Sequence, residues 1–475
     1  MIRSLIKNFS VFIGPIAFLI FHHLSTNTTN SEGSLEAPGY LAIGIAIWMI
    51  FWWIAEVIPL AITSLLPIVL FPAFGILNMK STTALYSSEV IFLFLSGFFL
   101  AIALEKTNLH IWLSRKILNY FGNSTSYLLL GFMMSTALLS MWISNTAAAL
   151  IMIPLVGSLT SGKDEKHKRL SKLLLFGVGY AASIGGVATI IGSPPNAILW
   201  DFLNRNSIAN INFVEWMFFG VPVASIGLLL AWKFLYYFFD GINLENIITK
   251  PTIVSSSKLS ASQIRLLFVF SFVILLWTLR SIFSWSNITD ASIALIGALL
   301  LFVTTNPDTN PDKDDSEKYL TEADIRKVPW GILLLFGGGI ALSEGLSNTG
   351  VTSWFANSLQ GLNGVPHLAV YLFLAVCFIL LTEIGSNTAL AAIGVTIASS
   401  LSRSLGTHEL TTLTVVVFAT SLSFMLPMAT PPNAIIFSYG NVSMKEMMRV
   451  GIWLNLIFAV LISFLAYFLI PLTWN

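Results

Sequence analysis

The chain carries one polar pattern twice inside otherwise apolar sequence. Ser144-Asn145-Thr146 recurs as Ser386-Asn387-Thr388. The first copy leads to Ser193-Pro194-Pro195-Asn196-Ala197-Ile198 and the second to Thr430-Pro431-Pro432-Asn433-Ala434-Ile435. Asn145 and Asn196 are 51 positions apart, and Asn387 and Asn433 are 46. A single Ser-Asn-Thr is readily a buried polar link between helices, and a single Pro-Pro a kink. Two such pairs, in the same order and at similar spacing, point to a small-solute site built from broken helices.

The breaks matter because the surrounding solvent is lipid. The 475 residues are 56% hydrophobic and 10% charged, against roughly 25% charged in an average soluble domain. Such a chain cannot cover itself with polar groups. Runs at 11–20, 40–54, 90–104 and 266–279 hold no charge. About 20 apolar residues cross a bilayer as a helix, and in lipid the backbone must satisfy itself, leaving helices or a closed barrel. Period-two alternation is absent, so the expectation is an all-α polytopic membrane protein. Arg3 and Lys7 precede an apolar run without a small-residue cleavage site, so that run reads as a first membrane helix.

Eleven spans are expected, near 11–24, 38–56, 57–75, 88–105, 172–202, 213–240, 262–283, 288–305, 329–346, 411–438 and 448–472. Regions 124–160 and 366–402 are too long for one span and carry Ser-Asn-Thr at their middle. Each therefore reads as a re-entrant hairpin, with non-helical backbone sheltered by protein or a water-filled cavity. With the N-terminus in the cytoplasm and both hairpins returning to their own side, only Lys80, Arg205, Arg280 and Arg403 of the 24 Lys and Arg fall outside. The positive-inside rule expects such an asymmetry. The C-terminus then lies outside, and the hairpins open to opposite sides as an inverted repeat. Secondary transporters commonly place their sites where such repeats meet. Segment 306–327 reads as a cytoplasmic loop and 31–38 as a short outside loop. Compact loops and the lack of a targeting segment suggest a bacterial inner membrane.

The motifs suit an anion beside a cation. Ser and Asn are good N-caps, so each hairpin tip can start a helix whose free amides and partial positive charge face the midplane. Pro194-Pro195 and Pro431-Pro432 break the later helices, Gly192 permits close backbone approach, and the carbonyls so freed can bind sodium. None of the four motifs contains Lys or Arg, so an anion needs helix ends and co-bound cations. Sodium and anion binding should then favour each other by the same factor.

Other polar residues carry less. Glu383 abuts the second tip and reads first as a structural acceptor. Glu56 reads as snorkelling to water, and Gly337-Gly338-Gly339 as close helix packing. The single Cys377 excludes an internal disulfide, the six histidines form no ligand pair, and a net charge of +1 gives no sign of nucleic-acid partners. No catalytic residue, organic cofactor or metal cluster is expected. A polytopic membrane enzyme would need acids, bases or ligands gathered at one depth, whereas these residues are Ser, Thr and Asn.

These motifs resemble the divalent anion–sodium symporter family, whose members carry dicarboxylates, citrate or sulfate. The resemblance spans almost the whole chain and is most specific in the two Ser-Asn-Thr motifs and in positions 420–436, with Ile436 where valine is usual. It implies a homodimer in which each protomer has a static scaffold and an elevator-type transport domain. Segments 1–122 and 241–365 would form the scaffold, and 123–240 and 366–475 the transport domain. Ser144, Asn145, Thr146, Ser386, Asn387 and Thr388 would line the carboxylate site with Ser193, Pro194, Thr430 and Pro431. One sodium would use Ser140, Ser144, Asn145 and Gly192, the other Thr382, Gly385, Asn387 and Ala429. Ser193 replaces a common threonine, and Ala391-Ala392-Ile393-Gly394 replaces a run usually richer in threonine or proline, which bears on substrate size. The expectation is sodium-coupled uptake of a C4-dicarboxylate such as succinate, malate or fumarate. The alternatives are a sodium-independent dicarboxylate exchanger and a sulfate or citrate carrier.

Overall fold

The computed structural model describes all residues except 1, 28–34, 122–123, 161–163, 240–257, 284, 286, 309–317, 359–364, 440–441 and 475; of residues 2–10 and of 356 and 358 it describes the backbone alone. Parts of the expected loops 31–38 and 306–327 lie outside the described residues. The described secondary structure is helical apart from one isolated bridge, Thr305 to Lys318.

In chain order the helices are α1 (Ile2–Thr26), α2 (Ala37–Ala55), α3 (Leu60–Thr63), α4 (Leu66–Ala73), α5 (Met79–Leu85), α6 (Glu89–Lys106) and α7 (Leu109–Phe121). They continue with α8 (Thr125–Ser140), α9 (Asn145–Leu159), α10 (Glu165–Gly186), α11 (Pro194–Arg205) and α12 (Phe213–Phe238). Then come α13 (Ala261–Phe283), α14 (Asp290–Val303), α15 (Glu322–Ile325), α16 (Trp330–Asn348) and α17 (Val351–Ser358). The last are α18 (His367–Thr382), α19 (Asn387–Leu405), α20 (Glu409–Ser421), α21 (Pro431–Ser438) and α22 (Met444–Thr473).

Seven of the described helical stretches are long and apolar enough to cross a membrane: 37–55, 79–106, 213–238, 261–283, 330–348, 387–405 and 444–473. Helix α13 shows the lipid-facing character plainly. Phe268, Leu275 and Ile282 are exposed on it, while Leu266, Val273 and Trp277 are buried, as in a helix apolar on every face.

Several expected spans are broken. Region 57–75 is two short helices, α3 and α4. Pro67 starts the second, and Ser64, between them, turns its hydroxyl onto Leu60 O at 2.8 Å. Region 172–202 is α10, a 3-10 turn at Ile190–Gly192, and α11. Region 411–438 is α20, an irregular stretch, and α21. In both cases Pro-Pro opens the second piece, where its missing amide hydrogens cost nothing. Regions 124–160 and 366–402 are helix–loop–helix pairs, α8–α9 and α18–α19, each turning just before Ser-Asn-Thr.

Contacts sort the loops into two ends. At one end Lys106 pairs with Asp324, Gln263 donates to Thr107 O, and Lys172 pairs with Glu446. At the other, Arg205 pairs with Glu344, Asn212 donates to Ser281, and Trp474 donates to Glu215 O. The glycine run on α16 packs as expected, since a Cβ on Gly338 would lie 2.5 Å from Ser64 O. Glu56 is exposed at the end of α2.

The two halves interlock through their broken helices. Helix α10 packs on α8 and α9, and α20 packs on α18 and α19. The distal pieces exchange partners: α11 lies against α19, and α21 against α9 and α10. The site therefore sits where each half's hairpin meets the other half's broken helix.

Candidate functional site

Four helices begin at the site, each with a Ser or Thr at its cap position, and in three of them that side chain caps the helix. Ser144 caps α9, accepting from Ala147 N at 3.2 Å, and Ser386 caps α19, accepting from Ala389 N at 3.4 Å. Thr430 caps α21, accepting from Asn433 N at 3.2 Å, and Ser193 occupies the cap position of α11. Such caps are worth about 1 kcal/mol each. They also fix where the free amides of the first turns point, which is what a bound anion needs.

Behind each tip lies a matched set of oxygens. Ser140 is fully buried and donates to Ala182 O, where α10 approaches its break, at 2.6 Å. One terminal atom of the Asn145 amide sits 2.6 Å from Ser140 Oγ, 3.1 Å from Gly192 O and 3.2 Å from Ala182 O. With protein partners alone that atom is best assigned as Nδ2, donating to all three oxygens. With a cation among them the amide would turn its Oδ1 inward. In the second half Thr382, also fully buried, donates to Asn387 Oδ1 at 2.6 Å and to Thr420 O at 3.1 Å. Ser140 and Thr382 both stand five residues before their Asn, and Ala182 and Thr420 are both on the helix about to break.

Each break is held open by the Asn that follows Pro-Pro. Asn196 donates to Gly186 O at 2.9 Å and Thr189 O at 2.7 Å. Asn433 donates to Ser423 O at 3.2 Å and Leu426 O at 3.1 Å. The same number of positions separates Gly186 from Ser423, Thr189 from Leu426, and Asn196 from Asn433. A broken helix leaves buried carbonyls that must find donors, and one side chain supplies two of them in each half. Gly192 fulfils its expected role: a Cβ there would lie 2.5 Å from Gly186 O. The halves meet directly at Ser193 and Ser421, whose hydroxyls are 3.3 Å apart.

Ser144 and Pro431 are exposed, and Asn145, Thr146, Pro194, Ser386 and Asn387 are half-buried. Gly192, Ser193, Gly385, Thr388, Ala429 and Thr430 are buried. Ser144, Asn145, Thr146, Ser386 and Asn387 are thus at least partly open, whereas Ser193, Thr388, Thr430, Ser140 and Thr382 are buried. Hydrogen bonds join Ser140 with Asn145, and Thr382 with Asn387. The geometry adds contributors that sequence reasoning did not name. The carbonyls of Ala182 and Thr420 leave no side-chain signal. Asn196 and Asn433 stood within the repeated motifs but were not assigned a role. Asn455 is a lone amide in the apolar run 448–472, a pattern that marks a buried polar partner.

A polytopic helical protein with duplicated broken helices, Ser/Thr-capped helix starts and clustered oxygens at their junction is built as a secondary transporter rather than an enzyme. The model of the sodium:sulfate symporter transmembrane region matches residues 19–474, and the chain belongs to that family. It is 36% identical over 479 residues to the sodium-dependent dicarboxylate transporter SdcS of Staphylococcus saprophyticus, covering 97% of this chain and 90% of that protein. It is also 36% identical over 483 residues to SdcS of Staphylococcus aureus, with the same coverage. In fold it is similar to the YdaH transporter of Alcanivorax borkumensis, at a TM-score of 0.56 and 13% identity, covering 92% of this chain and 99% of that one.

Proposed function

We propose that this chain takes up C4-dicarboxylates such as succinate, malate or fumarate together with sodium. The observation that carries the reading is the matched pair of oxygen clusters, Ser140–Asn145–Ala182–Gly192 and Thr382–Asn387–Thr420, each directly behind a capped helix start. Hard cations take oxygen ligands, and a buried hydroxyl, a side-chain amide oxygen and freed carbonyls are such ligands. Ser144 and Gly192 complete the first sodium site, and Gly385 and Ala429 the second. The substrate's two carboxylates lie one at each tip, against Ser144, Asn145 and Thr146 and against Ser386, Asn387 and Thr388. Ser193, Pro194, Thr430 and Pro431 line the flanks. Each sodium offsets anionic charge that the uncharged tips cannot, so the two ligands bind with mutual support. Kinship with the staphylococcal dicarboxylate transporters favours this substrate class over sulfate or citrate.

The two hairpins enter the membrane from opposite sides in an inverted repeat. Trp232, near the end of α12, donates to Ser126 O at the base of the first hairpin. Tyr371, near the base of the second, lies beside Tyr467, near the end of α22. Since Trp474 bonds Glu215 O at the start of α12, these contacts support opposed openings. The end rich in Lys and Arg is cytoplasmic and holds the N-terminus; the C-terminus lies outside. Segments 123–240 and 366–475 move as one elevator body against a scaffold of 1–122 and 241–365, in a homodimer within a bacterial inner membrane. The exchange of α11 and α21 between halves supports the moving body. The dimer rests on the family resemblance.

The test is labelled succinate uptake into proteoliposomes. Accumulation should require an inward sodium gradient. Uptake that ignores sodium and is stimulated by internal dicarboxylate would instead establish an exchanger.

A further inference from the structure

The two breaks differ in one respect. Glu383 is buried, only 3% exposed. Its carboxylate accepts from Phe424 N and Met425 N at 2.9 Å through Oε1, and from Leu426 N at 2.8 Å through Oε2. Asn455 on α22 donates to Oε1 at 2.6 Å and accepts from Phe424 N at 3.1 Å. Glu383 thus holds three successive amides of the second break. The equivalent position in the first half, four residues before Asn145, is Met141. There the break is held by its own backbone, with Ala188 N bonding Gly185 O, and by the Thr189 hydroxyl on Met141 O. No ion pair involves Glu383 among the described residues.

The consequences reach the second oxygen cluster from both sides. Thr382, next in the chain to Glu383, carries the hydroxyl that joins Asn387 and Thr420. Leu426, whose amide Glu383 holds, gives its carbonyl to Ala429 N and to Asn433 Nδ2. One carboxylate therefore fixes both the hairpin tip and the loop facing it. Hydrogen bonds to an ionised acceptor are stronger than those between neutral groups, and three amides in a row match a carboxylate better than any neutral side chain.

We propose that Glu383 is a positioning residue for the second sodium site, making that site tighter for sodium than the first. The proposal rests on the sodium-coupled reading above. It predicts that the two sites are unequal, and that the inequality is set by a residue that does not touch the ion.

Purified protein is titrated with sodium chloride at constant ionic strength, with choline as the replacement, and thermal stability is followed. Wild type should be stabilised by sodium. Glu383→Gln keeps the size but puts an amide NH2, a donor, where a carboxylate oxygen accepted from a backbone N–H. It should raise the sodium concentration for half-maximal stabilisation about tenfold, the scale of losing a charge-assisted hydrogen bond. Asn455→Ala, which leaves the carboxylate in place, should shift it in the same direction by less. In an Asn387→Ala background Glu383→Gln should add little, and in an Asn145→Ala background its effect should persist. A merely structural role would lower the melting temperature and leave the sodium midpoint alone in both variants, overturning the proposal. Wild type that sodium does not stabilise at all would sink the sodium reading itself.

Discussion

Asn196 and Asn433 hold equivalent points of two different breaks, each donating one side-chain amide to two backbone carbonyls that a continuous helix would have satisfied. Both are fully buried. Replacing either by Leu removes both donors at once. Thr189 O and Leu426 O keep the amides of Gly192 and Ala429, but Gly186 O and Ser423 O lose the side-chain donor. A buried acceptor left unmet costs roughly 1–3 kcal/mol, so Asn196→Leu and Asn433→Leu should each lower the melting temperature of purified protein. Asn→Asp should be worse, because it points an acceptor at two acceptors. Unchanged melting of the Asp variants would show that the breaks are held by something else.

Close backbone approach at Gly192 leads to a second expectation. Gly192→Ala forces a methyl group to 2.5 Å from Gly186 O, and the Asn145 amide lies 3.1 Å from the Gly192 carbonyl that must then shift. Overpacking of this kind costs about 1–3 kcal/mol. Succinate uptake should fall far more than protein abundance, as quantitative blotting beside transport will reveal. Gly331→Ala, where a Cβ would meet Ala61 Cβ at an ordinary 3.5 Å, should be silent.

Arg205 bridges Asp201 at 2.6 Å and Glu344 at 3.1 Å, linking α11 to α16. The partners are unequal. Asp201 has a side chain only 5% exposed, while that of Glu344 is 33% exposed. Losing Glu344 removes a solvated pair worth about 0.5 kcal/mol. Losing Arg205 strands a buried carboxylate, at a cost of roughly 3 kcal/mol. Arg205→Gln should therefore destabilise strongly and Glu344→Gln slightly. Equal shifts in melting temperature would contradict this.

Asp324, in the segment between α14 and α16, has a defined pH window. Burial pushes its carboxyl pKa up, but hydrogen bonds from Lys327 and Thr321 and the charge of Lys106 outweigh that and hold it down to about 2. A depressed folded pKa gives stability that is present above the ordinary value near 4 and is lost as pH falls through about 2. Asp324→Asn should cost on the order of 1–2 kcal/mol at neutral pH, allowing for the solvent around Lys327. The gap from wild type should narrow steadily below pH ~4. A gap constant with pH would mean that the ion pairs contribute nothing.

Much of this was legible in the sequence, and the reasons are physical. Ser-Asn-Thr inside an apolar run cannot be an ordinary span, because polar groups in lipid need a local purpose, so both helix–loop–helix turns were readable. Pro-Pro cannot sit within a helix, so the splitting of 172–202 and 411–438 was readable too. The break in 57–75 was missed although Pro59, Pro67 and Pro72 crowd it. Helix α7, with His110 and Ser114 buried on one face and the Lys116 amine over the Trp112 ring, is too short and too polar to read as a span. The carbonyls of Ala182 and Thr420 could not be found in the sequence at all, since every residue has one. Glu383 was read correctly as an acceptor, but its three amide partners lie more than 40 positions away, and nothing local announces them.

Coupling itself is the central claim, and labelled sodium flux measures it most directly. Proteoliposomes are given an inward succinate gradient, and labelled sodium entry is followed with the membrane potential clamped. Wild type should drive sodium inward against no sodium gradient, and Asn145→Ala and Asn387→Ala should each abolish the flux. Succinate entry without sodium entry in wild type, or wild-type sodium flux in either variant, would contradict the assignment of the two oxygen clusters.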